Sequence, residues 1–474
     1  MTSNGLPPAA PSIGRIVIVG ASLAGLRAAE ALRSAGFAGR LTLVGDEPYE
    51  PYDRPPLSKA VLLGMVPADR TRLPRARNIG AEWLLGVPAA SLDVAGQVVH
   101  LADGRQVPFD RLLIATGTRA RPWPDPAQAA LDGVLTLRTR EDAAQLRARL
   151  AAGPRRVLVI GGGFTGSEVA SACCELGIPV TLAERSAAPL SGALGGAAGV
   201  AAARIQREHG VDLRCNVTVM ALEEDASGRL RRAQLSDGDV LDVDVAVVAL
   251  GAVRNVEWLQ GSGLAADARG VVCDGACRVF DANAIVNDTI FVAGDVARWP
   301  HPLFDGQLLA VEHWGNAVEQ AATAAHNMIC LPSARRPHRW LPAFWSNQFG
   351  VNIKSVGLPT IADEVVVTQG AVADRRFVAV YGQQGRIVAA VAVNMPRWLK
   401  AYHDLILARA PFPPRLNAPD GPAELRVVPA GFPPPGRATH SPNAVSTGPG
   451  PSTPAGTQAA AVPDPRTPPG PQPL

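Results

Sequence analysis

Ile16-Val17-Ile18-Val19-Gly20-Ala21-Ser22-Leu23-Ala24-Gly25 reappears, one third of the way along the chain, as Val157-Leu158-Val159-Ile160-Gly161-Gly162-Gly163-Phe164-Thr165-Gly166. In both copies a short apolar, β-branched run leads into small residues at G-x-G-x-x-G spacing: Gly20, Ser22 and Gly25, then Gly161, Gly163 and Gly166. Such runs suit central parallel strands buried on both faces. The small residues let the chain turn off the strand, let backbone approach a pyrophosphate and let the next helix pack closely. A helix opening there offers free N–H groups and a positive dipole end to phosphates. One such motif is a weak signal. Two in the same strand, turn and helix context predict two dinucleotide-binding units.

Each unit then reaches a second strand and an acid. Residues 41–44 lead to Asp46 and Glu47, and residues 180–182 lead to Glu184. At that spacing a carboxylate can accept hydrogen bonds from an adenosine ribose. Serine at position 22 replaces the middle glycine of the first copy but is small enough to keep the argument.

A chain of 474 residues is long enough for two or three domains. Its 45 basic and 42 acidic residues leave a net charge of +3, which calls for neither nucleic acid nor an anionic membrane as partner. Neither a signal peptide nor an apolar run of bilayer length is read, so the expected compartment is the cytoplasm. Residues 12–123 read as the first nucleotide unit and 124–248 as the second, whose helix near 141–150 precedes its fingerprint. Residues 249–334 hold the apolar strand 289–293 with its Gly294-Asp295 turn, and a long helix from Trp314. Residues 335–412, with β-branched runs such as Val365-Val366-Val367, read as an α+β domain. The last 64 residues contain 19 of the 43 prolines, so 413–474 read as a disordered tail. The expected fold is therefore α/β: two Rossmann-like domains, a smaller α+β domain and a Pro-rich tail.

Several strings together resemble the FAD-dependent NAD(P)H:ferredoxin reductases of the putidaredoxin-reductase and aromatic-ring-dioxygenase type. They are Gly45-Asp46-Glu47-Pro48-Tyr49-Glu50-Pro51-Tyr52-Asp53-Arg54-Pro55-Pro56-Leu57-Ser58-Lys59, the turn Ala115-Thr116-Gly117, residues 159–168, Ala293-Gly294-Asp295 and Phe344-Trp345-Ser346-Asn347-Gln348. The resemblance runs over about 14–405. It implies FAD at the first fingerprint, NADH at the second, and an FAD domain split around the inserted NAD domain; the Glu184 carboxylate at the ribose position favours NADH over NADPH, although Arg185 beside it is a residue type that clamps phosphate. It assigns FAD contacts to Ala24, Asp46, Lys59, Ala89, Arg138, Asp295 and Trp314, with Glu47, Arg54 and the 115–117 turn in the same site. Glu168 is to approach the nicotinamide, Glu184 its ribose, and Trp345 the flavin region; Lys59, Glu168 and Trp345 form the expected catalytic group. Asn347 stands where the family usually has aspartate, and Thr165 and Ser167 where it usually has aliphatics.

The implied activity passes electrons from NADH through flavin to an iron–sulfur ferredoxin that serves a haem-thiolate (cytochrome P-450) or Rieske oxygenase. A disulfide reductase of the same layout needs a cysteine pair near the flavin, and no cysteine precedes Cys173. An NADH-sensing flavoprotein of apoptosis-inducing-factor type is the alternative. Cys273 and Cys277 lack a second ligand cluster, so no metal site is read and small buried side chains are expected. An acidic ferredoxin would dock on a basic face, for which Arg70, Arg72, Arg75 and Arg77, or Arg335, Arg336 and Arg339, are candidates.

Overall fold

The computed structural model describes residues 13–74, 78–415, 420–421 and 424–431. Its helices are α1 (Leu23–Ser34), α2 (Pro126–Ala129), α3 (Arg140–Ala151), α4 (Phe164–Glu175), α5 (Ser191–Glu208), α6 (Trp314–Ile329) and α7 (Leu399–Leu407). The first sheet runs Arg278–Phe280, Val286–Val292, Arg111–Ile114, Arg15–Val19, Arg40–Gly45, Glu82–Leu85. All but the first of these strands are parallel. Ile16 and Ile18 enter one core and Val17 and Val19 another, which is why this strand reads as unbroken apolar sequence. The strand Val286–Val292 returns to the first sheet after the second unit, so the first unit is discontinuous in sequence.

Both fingerprint turns depend on missing side chains. A Cβ on Gly25 would lie 2.0 Å from the carbonyl oxygen of Gly20, and one on Gly166 the same distance from that of Gly161. The helices α1 and α4 can therefore start directly over the strand ends. The second unit is a parallel sheet in the order Asp212–Cys215, Val180–Glu184, Val157–Ile160, Val245–Val248, Val134–Leu135. Thr139 and Asp142 close a capping box at the start of α3.

The third unit is an antiparallel sheet of Ala343–Gln348, Val351–Gly357, Arg386–Val393, Arg376–Gln383, Glu364–Ala371 and Val427–Pro429, against which α7 packs. The last strand lies within the stretch that composition reads as tail. Val427 and Val428 pair with Val366 and Val365 and complete a sheet edge, a long-range contact that local composition does not reveal. Most of the remaining tail lies outside the described residues. All six cysteines are free. Cys273 and Cys277 are wholly buried, one in each core, and burial pushes both thiols up, so they behave as small apolar side chains. No described helix is long and apolar enough to cross a membrane.

Helix α6 packs against α1 and closes over a buried histidine group. His338 Nε2 donates to Asn316 Oδ1 at 3.0 Å, and its ring lies 5.2 Å from that of Trp299. Burial, with His301 nearby, pushes His338 down to about 3. His313, at the N-cap of α6, is pushed down to about 4 by burial, against the opposing pull of Asp295. The unfolded chain binds protons at these imidazoles near pH 6.5 and the folded chain does not. Their stabilisation is thus complete above about pH 6.5 and is lost as pH falls toward 4. Thermal unfolding followed across that range should show a falling melting temperature, and His338→Gln should flatten the slope. An unchanged slope in that variant would exclude His338 as the cause.

Candidate active site

The ends of these elements converge on a cleft of about 640 Å³, which joins a smaller cavity of about 210 Å³ through shared lining residues. The first fingerprint contributes Ser22 and Ala24 to the larger cavity and Gly20 and Ser22 to the smaller. Asp46 and Glu47, at the end of the second strand, line the smaller one. Arg54, Ala115, Thr116 and Arg138 line both. Lys59, Gly117, Gly163, Glu168, Asp295, Trp314 and Trp345 line the larger.

Five expected residues line neither. Gly25, Gly161 and Gly166 act from behind, by leaving room for the turns. Ala89, half-buried, opens the strand Ala89–Asp93 and pairs with Leu101. It lines neither cavity. Glu184 ends the strand Val180–Glu184, where its carboxylate accepts 2.7 Å hydrogen bonds from the N–H groups of Gly162 and Ser186. It is therefore folded over the second fingerprint turn.

Lys59 and Glu168, both of the expected catalytic group, meet at 2.7 Å. Glu168 lies in the second turn of α4 and is only 7 % exposed, so its charge must be compensated locally. Ser58 donates to the same oxygen, Oε2, at 2.5 Å, and Ser346 donates to Oε1 at 2.6 Å. Gln348 Nε2 in turn donates to Ser346 Oγ at 3.1 Å. One carboxylate thus joins all three folded units. Sequence reading missed Ser58 and Ser346 as functional groups, though both stand beside residues it singled out.

Other groups were also missed. Asp53 accepts from Trp314 Nε1 at 2.9 Å, and burial raises its carboxyl despite that bond. Glu312, raised by burial, pairs with Arg254 at 2.7 Å. Phe164 and Phe344 meet edge to face, with centroids 4.6 Å apart, across the second and third units. Trp345, 42 % exposed, stands edge-on to Trp314 at 6.3 Å, so an aromatic pair runs from the cleft wall to the surface.

The lining fits FAD and a nicotinamide dinucleotide. Neither α1 nor α4 has a side-chain cap or an acid in its first turn, which leaves their N–H groups for phosphates. The N-terminus of α6 is likewise uncapped, and among the described residues the buried Nδ1 of His313 beside it has no partner. Arg54, Lys59 and Arg138 add positive charge, each partly balanced by Glu47, Glu168 and Asp295 at 2.6, 2.7 and 3.0 Å.

The two arginine clusters differ: Arg70 and Arg72 of the first are exposed, whereas the second is partly closed. Arg72 pairs with Glu50, and Arg75 and Arg77 lie outside the described residues. The Arg335 side chain is only 11 % exposed, pairs with Asp288 at 2.6 Å and sits over the Phe291 ring. Of the second cluster, only Arg336 and Arg339 remain as exposed charges.

Comparison with known proteins agrees with this geometry. The pyridine nucleotide-disulphide oxidoreductase family profile matches residues 14–321, and the reductase C-terminal profile matches 343–427. Among curated relatives, the probable ferredoxin reductase CtmF of Castellaniella defragrans is 36 % identical over 84 % of this chain and 94 % of its own length. The anthranilate 1,2-dioxygenase system ferredoxin–NAD(+) reductase component of Burkholderia cepacia is 38 % identical over 85 % of this chain and 97 % of its own. The structure of the covalent putidaredoxin reductase–putidaredoxin complex superposes with a TM-score of 0.78 at 32 % identity, covering 84 % of this chain and 94 % of that one. With two fingerprints opening on one cleft and a matching C-terminal unit, this chain belongs to the pyridine nucleotide-disulphide oxidoreductases, in the FAD-dependent ferredoxin reductase family.

Proposed function

We propose that this chain is an NADH:ferredoxin reductase that takes electrons from NADH, passes them through FAD and delivers them to a small iron–sulfur ferredoxin serving an oxygenase. The observation that carries this reading is the Lys59–Glu168 joint, held by Ser58 and Ser346 where both fingerprints and Trp345 face one cleft. Relatives named as ferredoxin–NAD(+) reductase components of dioxygenase systems support the choice of acceptor. We also place the reaction in the cytoplasm, where free cysteines are the ordinary state.

FAD held by the first fingerprint, Arg54 and Arg138 would supply the conversion between a two-electron nicotinamide donor and a one-electron iron–sulfur acceptor. The chain supplies position and charge. Lys59 and the uncapped N-terminus of α6 set positive potential at the cleft wall, where negative charge accumulates on reduction. Glu168 holds the Lys59 ammonium in one orientation, and the two serines keep the carboxylate from rotating. Phe164, Phe344 and Trp345 give one part of the cleft wall an apolar surface. Glu184, at the end of its strand, can exchange its backbone partners for ribose hydroxyls and opposes a 2′-phosphate. Arg185, beside it, is exposed, and neither residue lines the cleft.

Steady-state reduction of cytochrome c should require added ferredoxin, and kcat/KM for ferredoxin should fall as salt rises, because steering between unlike charges is screened within about 8 Å at physiological ionic strength. Equal rates without ferredoxin would refute the acceptor. Lys59→Ala should slow flavin reduction by NADH in a single turnover by about 10-fold or more, the scale of one lost charge-assisted contact. A rate equal to that of the parent would remove Lys59 from the mechanism. Glu184→Ala should lower kcat/KM for NADH by roughly 10-fold to 100-fold and narrow the gap to NADPH. A parent enzyme that prefers NADPH would transfer the specificity role to Arg185.

A further inference from the structure

The last described strand does more than complete a sheet. After Val427–Pro429 pairs with Glu364–Ala371, the N–H of Ala430 donates to Asp363 O at 2.9 Å and the chain reaches α5 of the NAD-binding unit. That helix is broken at Gly195, whose φ of 77° and ψ of 175° are not helical. A break interrupts the hydrogen-bond ladder, and the groups flanking it must find other partners. Both find them in the third unit. Tyr381, wholly buried, donates its hydroxyl to Leu194 O at 2.5 Å, and the Gly196 N–H donates to Ala430 O at 2.8 Å. Only a small residue admits this approach, since a Cβ on Gly196 would already stand 3.2 Å from Gly431 O.

One turn upstream of the break, α5 meets the second fingerprint. The N–H of Leu190 donates to Gly162 O at 2.8 Å, a Cβ on Gly162 would lie 3.1 Å from Pro189 Cβ, and Ala193 lines the cleft. The path from the C-terminal strand to the dinucleotide turn is thus a continuous run of direct contacts, through Ala430 and Tyr381, the break in α5, and Leu190 at Gly162. We propose that residues 425–431 are a strap that fixes the break in α5 and so positions residues 190–193 against the nicotinamide dinucleotide, with Ala430 and Tyr381 as positioning residues. The inference rests on reading the second fingerprint as the NADH site.

The test compares the FAD-loaded full chain with chains ending at Gly431 and at Glu424, and with Tyr381→Phe in the full chain. NAD+ affinity is measured by calorimetry, deuterium uptake is followed over residues 190–199, and KM and kcat are determined with NADH. The chain ending at Gly431 should match the full chain. The chain ending at Glu424 should bind NAD+ about 5-fold to 10-fold more weakly, raise KM for NADH in step and exchange faster at 190–199, as expected for one or two lost hydrogen bonds. Its FAD content and kcat should hold within about 2-fold, because no strap residue lines either cavity. Tyr381→Phe should shift NAD+ affinity in the same direction with the strap intact. Unchanged NAD+ affinity in both altered chains, or a fall in kcat with no change in KM, would overturn the strap. A full chain that bound no NAD+ would overturn the reading of the fingerprint and the strap with it.

Discussion

Burying the Glu168 carboxylate where three units meet is the constraint on which the rest of the structure depends. A carboxylate that is 7 % exposed persists in charged form only if its lone pairs are met by donors. Lys59 and Ser58 come from the loop after the second strand of the first sheet, and Ser346 from the third unit, while Glu168 itself belongs to the second. Loss of one partner of a buried pair costs about 3–5 kcal/mol in proteins generally, a large part of the stability of a typical domain. The three units are therefore held in register by an interaction that tolerates little error. Its location at the cleft means that the register being enforced is that of the cofactor sites.

The same region is strongly polarised. Three helix N-termini without side-chain caps face the cavities, and the cations beside them are each answered by one acid. Such pairing keeps the cations in place without removing their field, since the helix ends remain unbalanced. Fixed positive ends of this kind need no reorganisation when negative charge arrives, which is how a protein lowers the cost of charging a buried ring system. Burial meanwhile keeps His313 neutral at the mouth of α6, so the field at that end comes from backbone dipoles and Lys59 and not from an imidazolium.

What could be read from sequence was what local pattern controls. The two strand-turn-helix fingerprints form as expected, because periodicity and motif spacing are properties of neighbouring residues, whereas Lys59 and Glu168, 109 positions apart, were brought together only by the family resemblance. Ser346 escaped because it meets Glu168 across 178 positions, and nothing local marks a serine as a carboxylate ligand. Arg335 looked like open surface in a basic run, yet Asp288 and Phe291, far away in sequence, claim it. Val427–Pro429 was hidden by the proline-rich composition around it, since pairing at a sheet edge needs only three residues and a partner.

Chain topology explains why one ion pair can govern the cleft. The second unit is inserted between two neighbouring strands of the first sheet, Arg111–Ile114 and Val286–Val292, so the chain crosses between units twice at almost the same place. The crossings pair with each other, Thr118–Ala120 running antiparallel to Ala252–Arg254, and Arg119 binds Glu257 at 2.6 Å beside them. A two-stranded ribbon alone resists stretching but yields to bending and twisting, because it has no sheet on either face to stiffen it. Ala120 and Ala252 of the ribbon line the same cleft as Glu168. The ribbon and the Glu168 joint are thus two separate attachments between the units that carry the fingerprints. Close approach of two dinucleotides, which electron exchange between them requires, follows from these two attachments acting together.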